Sequence, residues 1–372
     1  MYIEKIYIDG FKNLKKIDFS PAESFNIIYG QNAQGKTNLL EALWIATGCR
    51  SFRGSKEKDY VSFDSDFFEI NIIFRDTQRQ QKIEYRMERK NLKNKQIFLN
   101  GVKQNNGNGL FENFKCIAFL PGDIELIKGM PDRRRSYIDL CYSQLKPRSM
   151  NYIRKYNQLI LQRNAVIKNI ILGKDCVESL DIWDRQLAVA GSYISFMRNQ
   201  YILNLDKCSG KLYEKIAGGT EKLRIEYNSN VYPSDYKYPS SPDNEMSEIY
   251  YNKLKKSIND DIRLGYTHAG VNRDDISLKI NGLSVKDYGS QGQQKSTALV
   301  MRLSQAQIYK DMKKEAPVIL LDDVMGELDE NRQKLVCSII ADMQVFVTTC
   351  NHRAIIHRCE NIFEMRDGKL NI

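Results

Sequence analysis

Residues 30–37 read Gly30-Gln31-Asn32-Ala33-Gln34-Gly35-Lys36-Thr37, the residue types and spacing that bind phosphate. They fit G-x-x-x-x-G-K-[ST], a loop whose backbone N–H groups cradle a nucleoside triphosphate. In that chemistry Lys36 reaches the outer phosphates and the Thr37 hydroxyl holds Mg²⁺. A second stretch, Val318-Ile319-Leu320-Leu321-Asp322-Asp323, is four apolar residues ending in two acids. Carboxylates at the C-terminal edge of a buried parallel strand lie where open α/β sheets hold their ligands. Asp322 is the candidate Mg²⁺ ligand, with Thr37. Asp323 is the candidate that orients or deprotonates an attacking water, so Lys36 and Asp323 are the catalytic candidates.

A third stretch, Tyr288-Gly289-Ser290-Gln291-Gly292-Gln293-Gln294-Lys295, opens a long helical pattern. A small Ser- and Gly-rich turn at a helix start is another anion site. An ordinary helix cap is the plainer reading of Ser290. A single triphosphate does not need two such helix starts from one molecule. A dimer resolves this, with Ser290 and Gly292 of one subunit closing over nucleotide held by the other.

These groups need particular elements to position them. Residues 25–29 are a short apolar run, which predicts a buried strand leading into the loop. Residues 38–46 have helical spacing and stop before Gly48. Alternation predicts strands over residues 2–8, 67–74 and 82–87. Asn100-Gly101 and Asn281-Gly282 are hairpin signals between apolar runs, and Asp367-Gly368 is a further turn. Residues 133–145, 148–172 and 180–205 carry helical apolar spacing. A Pro- and Ser-rich loop follows over 228–244, then a helix over 246–259. Helices over 293–312 and 331–343 flank buried strands at 318–321 and 345–347. The pattern is α/β, with an antiparallel sheet beside a nucleotide-binding core and an inserted helical arm. The expected divisions are 1–120, 121–260 and 261–372.

The chain has 372 residues, 42% of them hydrophobic, and a net charge of +10. The charge favours a polyanionic partner, because phosphate contacts release counterions. No apolar run reaches the roughly 20 residues of a membrane helix, and residues 1–5 lack a signal-peptide layout. A cytoplasmic protein without a membrane partner is expected. The eight cysteines, from Cys49 to Cys359, have no zinc or redox spacing. His268, His352 and His357 form no convincing ligand set.

These residues resemble the ABC-type P-loop ATPase heads, and within them the RecF family, over essentially the whole chain. Phe11-Lys12-Asn13-Leu14 resembles the family's opening turn, and Asn38-Leu39-Leu40-Glu41 its continuation of the phosphate loop. Ser51-Phe52-Arg53, the entry to the arm at 119–135, Gln162-Arg163-Asn164 and Trp183-Asp184 are similar too. Ser290 to Gln294 resembles the family's ABC signature. Asp322, Asp323 and Glu327-Leu328-Asp329 resemble its Walker B strand and following loop, and Thr348-Thr349 end its switch strand. The resemblance implies ATP and Mg²⁺ as ligands and slow hydrolysis. It adds Lys12 and Asn38 to the nucleotide-binding candidates Gly30, Gln31, Asn32, Ala33, Gln34, Gly35, Lys36, Thr37, Ser290 and Gly292. It implies an ATP-dependent homodimer on duplex DNA or a single/double-strand junction, acting with RecR and RecO in recombinase loading at gaps.

Two departures stand out. Gly270-Val271-Asn272-Arg273-Asp274-Asp275 lacks the histidine the family often has there. Ala33 replaces a glycine common in such loops, which predicts a backbone without positive φ. The alternatives are an ABC-type subunit in chromosome organisation or transport. A transporter fits the helical insertion poorly. A chromosome organiser needs long heptad arrays that the roughly 140 intervening residues lack. A small-molecule kinase gives no reason for Ser290 to Gln294.

Overall fold

The computed structural model describes residues 1–350 and 361–371; His352, His357 and Cys359 lie outside them. The chain divides into two compact units, Met1–Asp123 with Leu299–Ile372, and Ile124–Ala298.

The first unit begins with β1 (Tyr2–Asp9), β2 (Ile17–Phe19), β3 (Phe25–Tyr29) and helix α1 (Lys36–Ile45). It continues through β4 (Phe67–Arg75), β5 (Gln80–Glu88), β6 (Asn91–Leu99), β7 (Val102–Lys103), α2 (Asn108–Asn113) and β8 (Cys116–Phe119). An antiparallel sheet runs in the order β2-β1-β4-β5-β6-β7. Its strands alternate, so Phe68, Ile70, Ile72 and Phe74 of β4 and Ile83, Tyr85 and Met87 of β5 share one buried face. Asn100 and Gly101, with φ of 52° and 76°, make the β6–β7 turn. Both residues are left-handed, as a two-residue hairpin loop requires.

The second unit starts with α3 (Glu125–Lys128), α4 (Pro131–Leu145), α5 (Ser149–Ile171) and α6 (Asp181–Ile216). Then come β9 (Leu223–Asn228), α7 (Asn244–Leu264), β10 (Asp275–Ile280), β11 (Leu283–Ser284) and α8 (Val285–Tyr288). Helix α9 (Gln291–Lys313) contains the boundary between units. The helices present their apolar stripes to one another. Asp243 caps α7 by accepting from the Met246 N–H, and Gly265 at φ 80° ends it.

Buried charge fixes the helix register. Arg163 of α5 has no exposed surface; its Nε donates to Asp184 of α6 at 2.6 Å. Its Nη1 donates to Asp261 of α7 at 2.5 Å and to Thr267 at 2.8 Å. Arg198 of α6 forks onto Asp139 at 2.8 and 2.9 Å and reaches buried Asp274 at 2.9 Å. Arg134 of α4 forks onto Asp275 at 2.7 and 2.8 Å. Asp274 and Asp275 therefore anchor this unit internally.

The chain completes the first unit with β12 (Val318–Asp322), α10 (Glu330–Ile339), β13 (Val345–Thr349), β14 (Asn361–Arg366) and β15 (Lys369–Asn371). The second sheet runs β15-β14-β3-β13-β12-β8, and all its neighbours except β15 pair in parallel. Every residue of β8, β12 and β13 is buried, which explains the uninterrupted apolar runs. Gln344 ties this sheet to the antiparallel one: its amide accepts from the Ile3 N–H at 2.7 Å and donates to the Ile3 carbonyl at 2.9 Å.

Several boundaries differ from expectation. The inserted unit runs to Ala298 rather than 260, because β10 pairs along its length with β9, a strand absent from the expected set. Its signal is present all the same: Leu223 and Ile225 are buried while Arg224 and Glu226 beside them are exposed. Helix α6 extends eleven residues beyond Leu205, to Ile216. Val285 starts α8 instead of extending the hairpin, because the Ser284 side chain caps the helix.

Candidate nucleotide-binding site

The parallel sheet ends three strands at one edge. Strand β3 runs into Gly30, β12 into Asp322 and Asp323, and β13 into Thr348 and Thr349. The Gly30 N–H donates to the Thr349 carbonyl at 3.3 Å, joining two of these ends. A Cβ on Gly30 would lie 2.3 Å from the Met365 carbonyl oxygen. Only glycine fits there. Gly35 precedes α1 at φ 114°, a backbone that side-chain-bearing residues avoid.

Lys36 is 4% exposed, and its ammonium donates to the Gly30 carbonyl at 2.7 Å and the Gln31 carbonyl at 2.9 Å. A third contact goes to Cys350 Sγ at 3.5 Å, and that thiol donates to Asn32 Oδ1 at 2.9 Å. Gln34 accepts the Asp367 N–H on its side chain at 2.6 Å and the Gly368 N–H on its carbonyl at 3.1 Å. Asn38 donates to Asn13 Oδ1 at 2.7 Å and accepts from Arg53 at 3.1 Å. Asn13 in turn donates to the Ala33 carbonyl at 3.3 Å. The loop is thus braced on both flanks. Asn13, Arg53 and Cys350 belong to its surroundings, although their residue types alone assign them no role.

Asp322 lies across from the loop. Its Oδ1 accepts from the Thr37 hydroxyl at 2.8 Å and from Thr348 at 2.8 Å. Thr348 Oγ1 also accepts the Asp323 N–H at 3.0 Å. Burial pushes the Asp322 carboxyl above the ordinary range; the bonds from Thr37 and Thr348 pull the other way, and the Asp323 charge adds to the rise. Asp323 stands at φ 51°, a left-handed backbone. Among the described residues its carboxylate has no hydrogen-bond partner.

One expectation changes. Ala33 sits at φ 65°, so this loop does adopt the left-handed backbone the alanine argued against. The loop closes around it, and the local strain, of order 1 kcal/mol, is offset by the bracing contacts. Lys12, a nucleotide-binding candidate, donates to buried Glu41 of α1 at 2.6 Å and to Ser55 at 2.9 Å. Glu41 has no exposed surface, and an ammonium beside it is the natural neutraliser. The ammonium has three N–H donors, so one remains beyond these two contacts.

In the other unit, Ser290 starts α9. Its hydroxyl accepts the Gln293 N–H at 3.2 Å, and the Gln293 side chain accepts the Ser290 N–H at 2.8 Å. This is a reciprocal capping box. Ser290 and Gln291 are exposed and Gly292 is half-buried.

A family model described as RecF/RecN/SMC N terminal domain matches residues 2–370. A "DNA replication and repair protein RecF" from Caldanaerobacter subterraneus subsp. tengcongensis is 36% identical over 369 residues, 99% of each chain. The chain belongs to the RecF family. Another RecF, from Thermoanaerobacter sp. (strain X514), is 35% identical over 99% of each chain. A solved structure described as the recombination mediator protein RecF-ATP in the RecFOR pathway superposes with a TM-score of 0.91 at 35% identity. It covers 100% of this chain and 97% of that one. A SmcHead bound to the C-winged helix domain of ScpA gives 0.57 at 18% identity, with 100% and 96% covered, and shares the fold. The RecF fold is therefore an ABC-type ATPase head carrying an inserted unit.

The residues of this RecF member suit a magnesium nucleotide. The loop glycine is sterically obligatory, and a buried carboxylate with a raised pKa faces the Thr37 hydroxyl. A carboxyl whose folded pKa is raised destabilises the fold once ionised, so its contribution worsens as pH rises from about 4 through the raised value. Asp322→Asn keeps an acceptor for both threonines and removes the buried charge. The nucleotide-free variant should melt a few degrees above wild type at pH 7, and the gap should close near pH 4. A variant that melts lower at pH 7 would contradict this account.

Proposed function

We propose that this chain is an ATP-operated DNA-binding protein of recombinational repair and replication. The observation that carries the reading is the 2.8 Å bond from Thr37 to Asp322, which joins the phosphate loop to the acidic strand end. Backbone N–H groups of residues 30–37 hold the phosphates, and Lys36 moves its ammonium from the loop carbonyls to phosphate oxygens. Thr37 and Asp322 would hold Mg²⁺, which neutralises charge on the β- and γ-phosphates. Asp323, whose carboxylate has no hydrogen-bond partner among the described residues, orients the attacking water. Ser290 and Gly292 of a second copy close over the γ-phosphate, so ATP joins two chains and hydrolysis releases them. The exposure of Ser290 and Gln291 supports this role. Slow turnover makes the device a timer. The relatives' names, a DNA replication and repair protein and a mediator in the RecFOR pathway, support DNA as the partner with RecR and RecO alongside; duplex or a single/double-strand junction is the form we assign to it.

Size-exclusion chromatography with ATP, ADP or no nucleotide, each with and without duplex DNA, tests the scheme. The expected result is a dimer in ATP alone and a dimer on DNA when both are present. A species that stays monomeric in every condition would overturn it.

A further inference from the structure

The chain's positive charge is not spread evenly. Between Asp139 and Asp175 there is no acidic residue, and the stretch holds Lys146, Arg148, Arg154, Lys155, Arg163, Lys168 and Lys174. Those seven charges leave the other residues a net of only +3 out of the +10. All of them except Arg163 are exposed.

Helix α5 displays most of this stretch. Its buried side, Tyr156, Leu159, Arg163 and Ile167, turns toward α6 and α7 through the Arg163 pairs and the Tyr156–Tyr250 hydroxyl contact at 2.8 Å. Its opposite side carries Asn151, Arg154, Lys155, Gln158, Gln162 and Lys168, all exposed. With exposed Ala165 between the last two, these positions follow the three-and-four spacing of one helical stripe. From Asn151 to Lys168 the stripe is about 25 Å long. That matches roughly seven phosphates along a strand of duplex at about 3.4 Å each.

We propose that the exposed face of α5 is a nucleic-acid contact surface that tracks the phosphate backbone of duplex DNA. This rests on the DNA-binding reading above and assigns it a place. Three cations and three amides share this side with exposed Leu161 and Ala165, and phosphate oxygens accept from amides as well as from guanidinium and ammonium groups. An acidic protein surface would offer no regular lattice along that length. The other basic cluster, Arg133-Arg134-Arg135, is largely used internally: Arg134 is forked onto Asp275, and Arg135 donates to the Asp274 carbonyl at 2.8 Å.

The test measures binding of a labelled duplex of about 30 base pairs by the full-length protein with ATP, across a KCl series. The variant carries Arg154→Gln, Lys155→Gln and Lys168→Gln. Each lost phosphate contact flattens the log–log salt slope by about 0.9, so three flatten it by about 2.7. ATP-dependent dimerisation should be unchanged in the variant. A second variant, Arg154→Lys, Lys155→Arg and Lys168→Arg, should restore the wild-type slope, which a merely structural role would not predict. If the triple Gln variant binds duplex with wild-type affinity and slope, the assignment to α5 is overturned and the DNA-binding reading stands; this is also the outcome if the face docks an acidic protein. If the wild-type protein itself binds no duplex, both fall.

Discussion

Replacing Lys36 with alanine is expected to lower ATP affinity roughly 10- to 150-fold without unfolding the protein. The ammonium lies almost fully buried under the loop, on two backbone carbonyls and the Cys350 sulfur. Those acceptors are neutral. An arriving phosphate replaces them with charged oxygens, and hydrogen bonds to charged groups are worth about 1.5–3 kcal/mol each. The fold loses little, because Gly30 is half-buried and Gln31 exposed, so water can reach the freed carbonyls. Lys36→Arg retains the charge yet replaces a compact ammonium with a planar fork too wide for the same carbonyls. It should fold normally and weaken ATP-dependent dimerisation and hydrolysis. Titration with a fluorescent ATP analogue, beside a melting curve, reads both quantities. Wild-type affinity in the alanine variant would remove Lys36 from the phosphate site.

The second large effect lies away from the nucleotide. Arg163→Ala should destabilise the inserted unit by about 3–5 kcal/mol, the usual penalty for breaking a buried ion pair from one side. Asp184 and Asp261 both have no exposed surface, and Arg163 is the cation between them. Burial already raises the Asp184 carboxyl, and the Arg163 charge is the main influence pulling it back down. Removing the arginine leaves two buried carboxylates with less to stabilise their ionised forms. Because a raised carboxyl pKa makes stability fall as pH rises, the variant should recover stability as pH is lowered from about 8 to about 5. Total stabilities of domains are only about 5–15 kcal/mol, so the loss should be visible as local opening. Hydrogen exchange in α5, α6 and α7 is the suitable measurement, since a chain of two units need not unfold in one step. Wild-type protection across those helices at pH 7 would show that the network is not what holds them in register.

Much of the site is legible in local pattern. The strand, loop and helix around Gly30 to Thr37, the acidic end of β12 and the three left-handed turns at Asn100, Asn281 and Asp367 all appear where spacing put them. Each depends on residues adjacent in the chain. Glycine and asparagine fix turns by their own backbone freedom, and a buried parallel strand announces itself by having no polar face.

Other features need distant residues to meet. Strand β9 escapes a local reading because its alternation is short and its partner is remote. Asn228 pairs with Asp275 only after the chain has passed through the whole of α7, and no turn signal joins the two strands. Ala33 takes a left-handed backbone because Asn13 and the residues around Gly368 grip the loop from outside, which no local propensity reports. Lys12 pairs with Glu41 because α1 carries that buried carboxylate against it, a contact between residues 29 positions apart that no local pattern announces. Arg134 and Lys168 look alike in the sequence, and only packing separates them: one is consumed by Asp275 while the other faces water. The chemistry of the phosphate loop resides in neighbouring residues, so reading the chain in order is enough to find it. Which charges stay available to a ligand is a matter of packing, because a charge is neutralised by whatever the fold brings within about 3 Å of it.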